Sequence, residues 1–340
     1  MNQLIKLLED TEQLNKIKAN YIKDSPIYIY GLTEGIKAHL ILSLFDALDK
    51  NILVIAQNEK KAKEYQNNIN NLYEIASFYP ASEINFYNIK SVDEDIKTAR
   101  MENLISQSNN QKQITITTIE ALLNKITPLD KFNNSFVSIS NEDTVDVAEF
   151  IQTLINLNYN PTSLVENKGE YANRGSIIDF WPIDYQNPVR LELFDDEIDS
   201  IRIFDEKNQR TIDKIDKVSI SPLNELIYDK SDFDKILENI EEDIVKLEKN
   251  IKNSNDQRLI DKFKQIQSYL ENSMYVANWD LLNAYRQDNY ETFIDYLSKD
   301  TIIIVDDISR IYDDQNDFYD NFLEDVTLQR DRGEVFNNFS

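Results

Sequence analysis

Residues 27–56 read IYIYGLTEGIKAHLILSLFDALDKNILVIA. Two short apolar runs, Ile27–Tyr30 and Ile52–Ala56, flank a turn and a stretch with helical spacing. Such a strand–helix–strand unit predicts parallel strands joined by a crossover helix. Further strand candidates at Ser77–Tyr79 and Ile114–Thr118, separated by long helical stretches, extend the same alternation. The sequence therefore predicts an α/β domain built on a parallel sheet.

The segment from about 134 to 222 departs from this alternation, because short strand candidates follow one another with a single helical stretch among them. These candidates are Ser135–Ser140, Arg174–Trp181, Val189–Phe194, Ile198–Phe204 and Val218–Ser221. Beyond residue 223 the chain is helical again and then contains the apolar run Thr301–Val305, a predicted buried strand. A chain that leaves an α/β pattern and returns to it predicts one domain interrupted by a smaller α+β domain. The predicted boundaries are 1–134 and 223–340 for the α/β domain and 135–222 for the inserted domain.

The composition excludes several classes of function. The 340 residues include 36 basic and 61 acidic ones, and the net charge of −25 opposes binding to a nucleic-acid backbone. There is no cysteine, which excludes disulfides and thiol catalysis, and a single histidine, His39, leaves no His-rich metal site. The start shows no signal peptide, and no apolar run reaches the ~20 residues that span a bilayer. The sequence therefore predicts a soluble, cytoplasmic protein.

The turn GLTEGIKA, Gly31–Ala38, lies where a phosphate-binding P-loop of pattern G-x-x-x-x-G-K-[ST] would occur, between a predicted strand and a helix. Gly31 and Lys37 fit the pattern. Ile36 replaces the second glycine, where backbone N–H groups approach phosphate, and Ala38 lacks the hydroxyl that coordinates Mg²⁺. We therefore expect no ATP hydrolysis and no nucleotide or metal cofactor, and the favoured interpretation is a helix start with an ordinary surface lysine.

The run Thr301–Val305 ends in Asp306 and Asp307, the place of the acidic residues that hold Mg²⁺ in P-loop enzymes. Without a hydroxyl at position 38 this pair lacks its partner for the metal, and acidic residues at strand ends are common in so acidic a chain. The predicted degenerate nucleotide site, which has no catalytic residue, consists of Gly31, Gly35, Lys37, Asp306 and Asp307.

The run Val189–Phe194 alternates strictly between aliphatic and other residues. Its aliphatic side chains must face the core, so Arg190 and Phe194 are predicted to share the solvent face. An exposed aromatic beside an arginine is typical of the centre of a protein–protein interface. Four of the ten arginines lie within 37 residues, which suits an acidic protein partner: Arg174, Arg190, Arg202 and Arg210. The alternative, that these arginines only neutralise neighbouring acids, has equal support from the sequence.

The run GEYANRGSIIDFWP…NPVRLELFDDEIDSIRIFDEKNQRT resembles a block shared by the nucleotide-excision repair protein UvrB and the N-terminal part of the transcription-repair coupling factors (Mfd). The resemblance is strong at 165–212 and extends weakly over nearly the whole chain. UvrB has an intact P-loop and a long DNA-clamping β-hairpin after a segment like FYPASEINFYN. Here the P-loop is degenerate, and Phe86–Tyr87 lead almost directly into a predicted helix near 92–107, so the chain is more similar to the UvrB-homology module of Mfd.

The resemblance implies a degenerate RecA-like domain interrupted by a domain that docks UvrA. The family's UvrA-contacting residues match Arg174, Arg190 and Phe194. It implies a non-enzymatic scaffold that recruits UvrA to stalled transcription. In the far longer family proteins, later domains supply ATP- and Mg²⁺-dependent translocation and the contacts with RNA polymerase and duplex DNA, and a C-terminal domain masks the UvrA surface. The alternatives are a UvrB-type DNA-dependent ATPase and an acidic mimic of DNA.

Overall fold

The structure is a computed structural model that describes residues 11–82, 94–228, 230–271, 282, 285 and 290–335. The first part contains α1 (Glu12–Asn20), α2 (Glu34–Leu48), β1 (Ile52–Ala56), α3 (Glu59–Asn70), β2 (Ala76–Tyr79), α4 (Glu94–Ser108), β3 (Ile114–Thr118), α5 (Ile119–Leu122) and α6 (Leu129–Asn133). The middle part contains β4 (Val137–Ser140), α7 (Val147–Asn156), β5 (Asn160–Pro161), β6 (Glu170–Asn173), β7 (Ile177–Phe180), β8 (Val189–Phe194), β9 (Glu197–Phe204), β10 (Thr211–Ile215) and β11 (Lys217–Ile220). The last part contains α8 (Lys230–Glu248), α9 (Ser254–Glu271), a 3₁₀ turn (Phe293–Tyr296), β12 (Ile302–Val305) and α10 (Ile308–Asp331).

A four-stranded parallel sheet in the order β12-β1-β3-β2 forms the centre of the α/β region. All five residues of β1 are buried, as is typical of a parallel strand covered by helices on both faces. Helices α1, α2 and α3 cover one face, and α4, α5 and α6 cover the other. Strand β12 joins this sheet although it follows β3 by more than 180 residues, so the chain returns to the same sheet after its middle part. The predicted α/β class with a parallel sheet is confirmed.

The prediction of a strand at Ile27–Tyr30 is wrong. These four residues have no strand conformation, and Tyr28 and Tyr30 are 67% and 86% exposed, with their rings stacked 6.5 Å apart. A short apolar run favours a strand, but pairing with a neighbouring edge must supply the hydrogen bonds. Among the described residues the outer edge of β12 has no partner strand, and Ile303 and Val305 are exposed there.

The middle part of the chain forms a six-stranded sheet in the order β10-β9-β8-β7-β6-β5 and a two-stranded antiparallel sheet of β4 and β11. Helix α7 packs against the six-stranded sheet, with the ring of Phe150 edge-on to that of Phe180 at 5.7 Å. The burial of β8 alternates along the strand as predicted. Strands β5, β6 and β10 were not predicted, while the other strands of this part agree within a few residues. The domain boundaries at 135 and 222 stay a prediction.

Helices α8 and α9 pack against each other around Ile240, Ile244 and Phe263. Asp307 is the N-cap of helix α10, and its side chain accepts a hydrogen bond from the backbone N–H of Arg310. The expectation about the connection after Phe86–Tyr87 lies outside the described residues, and α4 begins at Glu94. Within the described parts of the chain, no helix is both long and apolar enough to cross a bilayer.

Candidate functional site

The predicted degenerate nucleotide site is partly assembled in the structure. Gly31 has a φ of +79°, a left-handed conformation that favours glycine, and it lets the chain turn into α2. Lys37, in the first turn of α2, reaches the carboxyl end of β12, where its Nζ lies 2.9 Å from Oδ1 of Asp306. The structure therefore brings Lys37 and Asp306 together, as expected from a turn and a strand end at the same edge of a parallel sheet.

The Lys37 ammonium is already neutralised within the chain. Its Nζ also donates to Oε1 of Glu34 at 2.8 Å, so two carboxylates share one cation. Burial alone would lower the pKa of Lys37, but the hydrogen bonds to Glu34 and Asp306 outweigh it, and the pKa lies above its ordinary value. The hydrogen bond from Lys37 lowers the pKa of Glu34, which keeps that carboxylate charged. A phosphate at this turn would be repelled by the Glu34 carboxylate, and the Lys37 ammonium there is already paired with Glu34 and Asp306.

The remaining residues of the predicted site depart from a phosphate-binding loop in their side chains. Ile36 is 43% exposed at the place of the second glycine, and Ala38 is buried against the core. Asp307 caps α10 and lies 3.3 Å from Nε of Arg310, so it is engaged away from Lys37. No cluster of three or more potential metal ligands occurs among the residues that the structure describes. The interpretation of Lys37 as an ordinary surface lysine needs correction, because its side chain is 19% exposed and joined to Asp306.

The second predicted site is on the outer face of the six-stranded sheet. Phe194, the last residue of β8, is 73% exposed, while the aliphatic residues of the same strand are buried. Arg190 lies four residues earlier on the same face, about 13 Å along the strand at ~3.3 Å per residue. Arg174, which follows β6, is 43% exposed on the same side. We call Arg174, Arg190 and Phe194 the docking face.

Asp179 lies at the centre of this face, and the sequence did not single it out. Only 1% of Asp179 is exposed, and it is paired in register with Arg190 across β7 and β8. Nε of Arg190 donates to Oδ1 of Asp179 at 2.6 Å, and Nη2 donates to Oδ2 at 2.9 Å. Nη2 of Arg174 lies 3.5 Å from the same Oδ2. The hydrogen bond to Asp179 raises the pKa of Arg190 above its already high value.

Further contacts fix the guanidinium of Arg190. It lies over the ring of Phe204 at 4.4 Å, and Nη2 also donates to Oε1 of Gln209 at 2.8 Å. Arg202 stands next to Arg190 on β9 and is compensated by Glu192, with 2.6 Å between Nη2 and Oε2. The interpretation that the arginines neutralise neighbouring acids is therefore correct for these contacts. It does not exclude docking, because Phe194 and Arg174 remain exposed.

Comparison with known proteins supplies the decisive observation for this region. Residues 137–226 match the family model of the UvrB interaction domain. This segment of the chain is therefore similar to UvrB interaction domains. All three residues of the docking face lie inside the matched segment, whereas Lys37 and Asp306 lie outside it.

The chain outside the matched segment is also similar to known proteins. The transcription-repair-coupling factor of Staphylococcus haemolyticus is 27% identical over 315 residues, which cover 88% of this chain and 26% of that protein. The transcription-repair-coupling factor of Bacillus subtilis is 24% identical over 343 residues, which cover 94% of this chain and 28% of that protein. That of Staphylococcus aureus strain MRSA252 is 26% identical over 307 residues. The chain thus spans about a quarter of the length of these curated relatives.

Proposed function

We propose that this chain is a non-catalytic scaffold that recruits UvrA during transcription-coupled nucleotide-excision repair. The observation that carries the proposal is an exposed Phe194 on the same outer face as Arg174 and Arg190, within the segment that matches the UvrB interaction domain. The similarity to transcription-repair-coupling factors over about nine-tenths of the chain supports the link to stalled transcription.

The docking face has the chemistry of an interface centre. Aromatic and arginine side chains contribute most of the binding energy in many interfaces, because they bury a large area and form directed hydrogen bonds. Phe194 offers an unburied ring, and the partly exposed guanidinium of Arg174 can pair with a carboxylate at two points. A complementary surface on UvrA would present an apolar pocket flanked by acidic groups.

Calorimetric titration of UvrA with the whole chain tests this proposal. We expect a saturable complex whose affinity falls roughly tenfold in Arg174→Ala, as for loss of one arginine contact. The fold should persist, because Asp179 keeps its two hydrogen bonds from Arg190. Arg258→Ala is the matched control, since Arg258 is an exposed arginine on α9, outside the UvrB interaction domain. Absence of binding by the wild-type chain, or equal loss in both variants, would contradict the proposal.

We infer further that the region around Lys37 does not hydrolyse ATP. Glu34 and Asp306 already neutralise Lys37, and Ala38 offers no hydroxyl for Mg²⁺. The purified chain should show no ATPase activity above background, with or without DNA, in a coupled phosphate-release assay. Hydrolysis that disappears in Lys37→Ala would instead favour the UvrB-type ATPase.

The UvrB interaction domain is not expected to hold DNA. Residues 135–222 contain 8 basic and 17 acidic residues, a net charge of −9. Duplex DNA binding depends on releasing counterions from phosphates, which an acidic surface opposes. Fluorescence anisotropy with a labelled duplex at physiological salt should detect no binding at micromolar protein. A tight complex that weakens steeply with salt would show that this expectation is wrong.

In the longer relatives, we infer that regions beyond the matched quarter supply the ATP-dependent translocation and the contacts with RNA polymerase and duplex DNA. We also propose that a C-terminal domain there masks the docking face until it is needed. Cytoplasmic localisation stays part of this proposal.

A further inference from the structure

We propose that Asp179 is a positioning residue for the partner contact: its buried carboxylate holds Arg190, and draws in Arg174, in the orientation that meets UvrA. This inference rests on the proposed function and deepens it, because it assigns the preparation of the site to a residue that the partner does not reach. Asp179 is 1% exposed, so a docking protein would meet the arginines and not the acid.

The geometry at Asp179 fixes both the position and the plane of one guanidinium. Nε and Nη2 of Arg190 donate to the two carboxylate oxygens at 2.6 and 2.9 Å, which is the two-point arrangement that defines a plane. A single hydrogen bond would leave the group free to rotate. The register between β7 and β8 places Asp179 directly opposite Arg190, so the strand pairing brings the carboxylate within reach of the guanidinium.

Two further residues, Phe204 and Gln209, also hold the guanidinium of Arg190 in place. The guanidinium of Arg190 lies over the ring of Phe204 at 4.4 Å, and Nη2 donates to Oε1 of Gln209 at 2.8 Å. Gln209 has a φ of +61°, and its own Nε2 donates to the backbone oxygen of Glu206 at 2.9 Å, so the loop presents this amide in one orientation. No described residue accepts a hydrogen bond from Nη1 of Arg190. Its two N–H groups remain for an acceptor on the partner.

The negative charge of Asp179 affects UvrA binding in two ways, by orienting Arg190 and by reducing the attraction of an acidic partner. A negative charge beneath a face that binds an acidic partner lowers the positive potential there and slows steered encounter. If attraction were all that mattered, neutralising Asp179 would strengthen binding. If positioning matters, the same change frees Arg190 and weakens binding, because the ordering of a long side chain must then occur during association. The two effects predict opposite changes in affinity.

The test is the binding of UvrA to the whole chain carrying Asp179→Asn, which keeps the shape of the side chain and removes its charge. We expect the affinity for UvrA to fall at least tenfold, and we expect this fall to come from faster dissociation of the complex. In an Arg174→Ala/Arg190→Ala background, the same substitution should change the affinity by less than twofold, since no oriented arginine is left. Unchanged or tighter binding of Asp179→Asn, with the wild type binding normally, would overturn the positioning role alone.

Two further measurements keep the test decisive. In the nuclear magnetic resonance spectrum of the wild type, the Nε–Hε group of Arg190 should exchange slowly with water, and Asp179→Asn should abolish that protection; persistence of the protected signal overturns the inference. If Asp179→Asn unfolds, Arg190→Lys takes its place, because it keeps the positive charge but cannot form the two-point pair with Asp179. It should weaken binding at least tenfold, and unchanged affinity overturns the inference. A wild-type chain that does not bind UvrA overturns the proposed function itself.

Discussion

Replacement of Phe194 by Ala should weaken UvrA binding by about 2 kcal/mol or more, roughly 30-fold, while the thermal unfolding temperature stays within error of the wild type. The large effect on binding follows from the aromatic ring, which is 73% exposed and free to enter a pocket on the partner. The small effect on stability follows from the same exposure, because the ring buries little area within the chain. Calorimetry of the complex and calorimetric unfolding of the free variant measure the two quantities separately.

The control for Phe194→Ala is Tyr312→Ala. Tyr312 is an aromatic residue on α10 that is 66% exposed, and it lies outside the segment that matches the UvrB interaction domain. Both substitutions remove a large exposed ring, but only the first should affect UvrA. Equal affinities of Phe194→Ala and the wild type would place the interface elsewhere, even if the chain binds UvrA.

The alternation of β8 made two of the three residues of the docking face predictable. A period of two residues has only two phases, and burial of the aliphatic phase leaves Arg190 and Phe194 on the other. Asp179 could not be identified in this way, because its role depends on the register between β7 and β8 and not on either strand alone. In a chain with 61 acidic residues, the one that binds Arg190 has no distinguishing local pattern.

The errors in the predicted strands have a similar physical origin. Ile27–Tyr30 has the composition of a strand and forms none, since strand pairing depends on a distant edge that the sequence does not reveal. Strand β10 is the opposite case: its residues are mostly exposed and polar, yet pairing with β9 makes it a strand. Strand β1 was predictable because burial on both faces requires a continuous apolar run, and that signal is local.

The largest loss of stability is expected from Arg100→Ala, which should lower the free energy of unfolding by about 3–5 kcal/mol, the range for breaking a buried ion pair. Arg100 lies on α4 and is 2% exposed. Its Nε donates to Oε2 of Glu225 at 2.8 Å, and Nη1 donates to the backbone oxygen of Pro80 at 2.6 Å. The guanidinium also covers the ring of Tyr79 at 4.3 Å.

These contacts join three parts of the chain: the residue after β2, helix α4, and Glu225 near the end of the segment that matches the UvrB interaction domain. Loss of the cation leaves the Glu225 carboxylate, which is 20% exposed, without its charge partner and opens a cavity beside Tyr79. Chemical denaturation followed by far-ultraviolet circular dichroism measures the loss in the free energy of unfolding.

Comparison of two methionine variants separates the contribution of the ion pair to stability from that of the lost side-chain volume. Arg100→Met keeps most of the side-chain volume but leaves Glu225 unpaired, whereas Arg100→Met/Glu225→Met removes both charges together. The double variant should be more stable than Arg100→Met, because an unpaired charge in a poorly solvated place costs more than no charge at all. Lys16→Ala serves as the control for a solvent-exposed ion pair, since Lys16 and its partner Glu12 are 70% and 78% exposed, and it should change stability little. If Arg100→Met/Glu225→Met is less stable than Arg100→Met, the stabilisation comes from Glu225 itself and not from its pairing with Arg100.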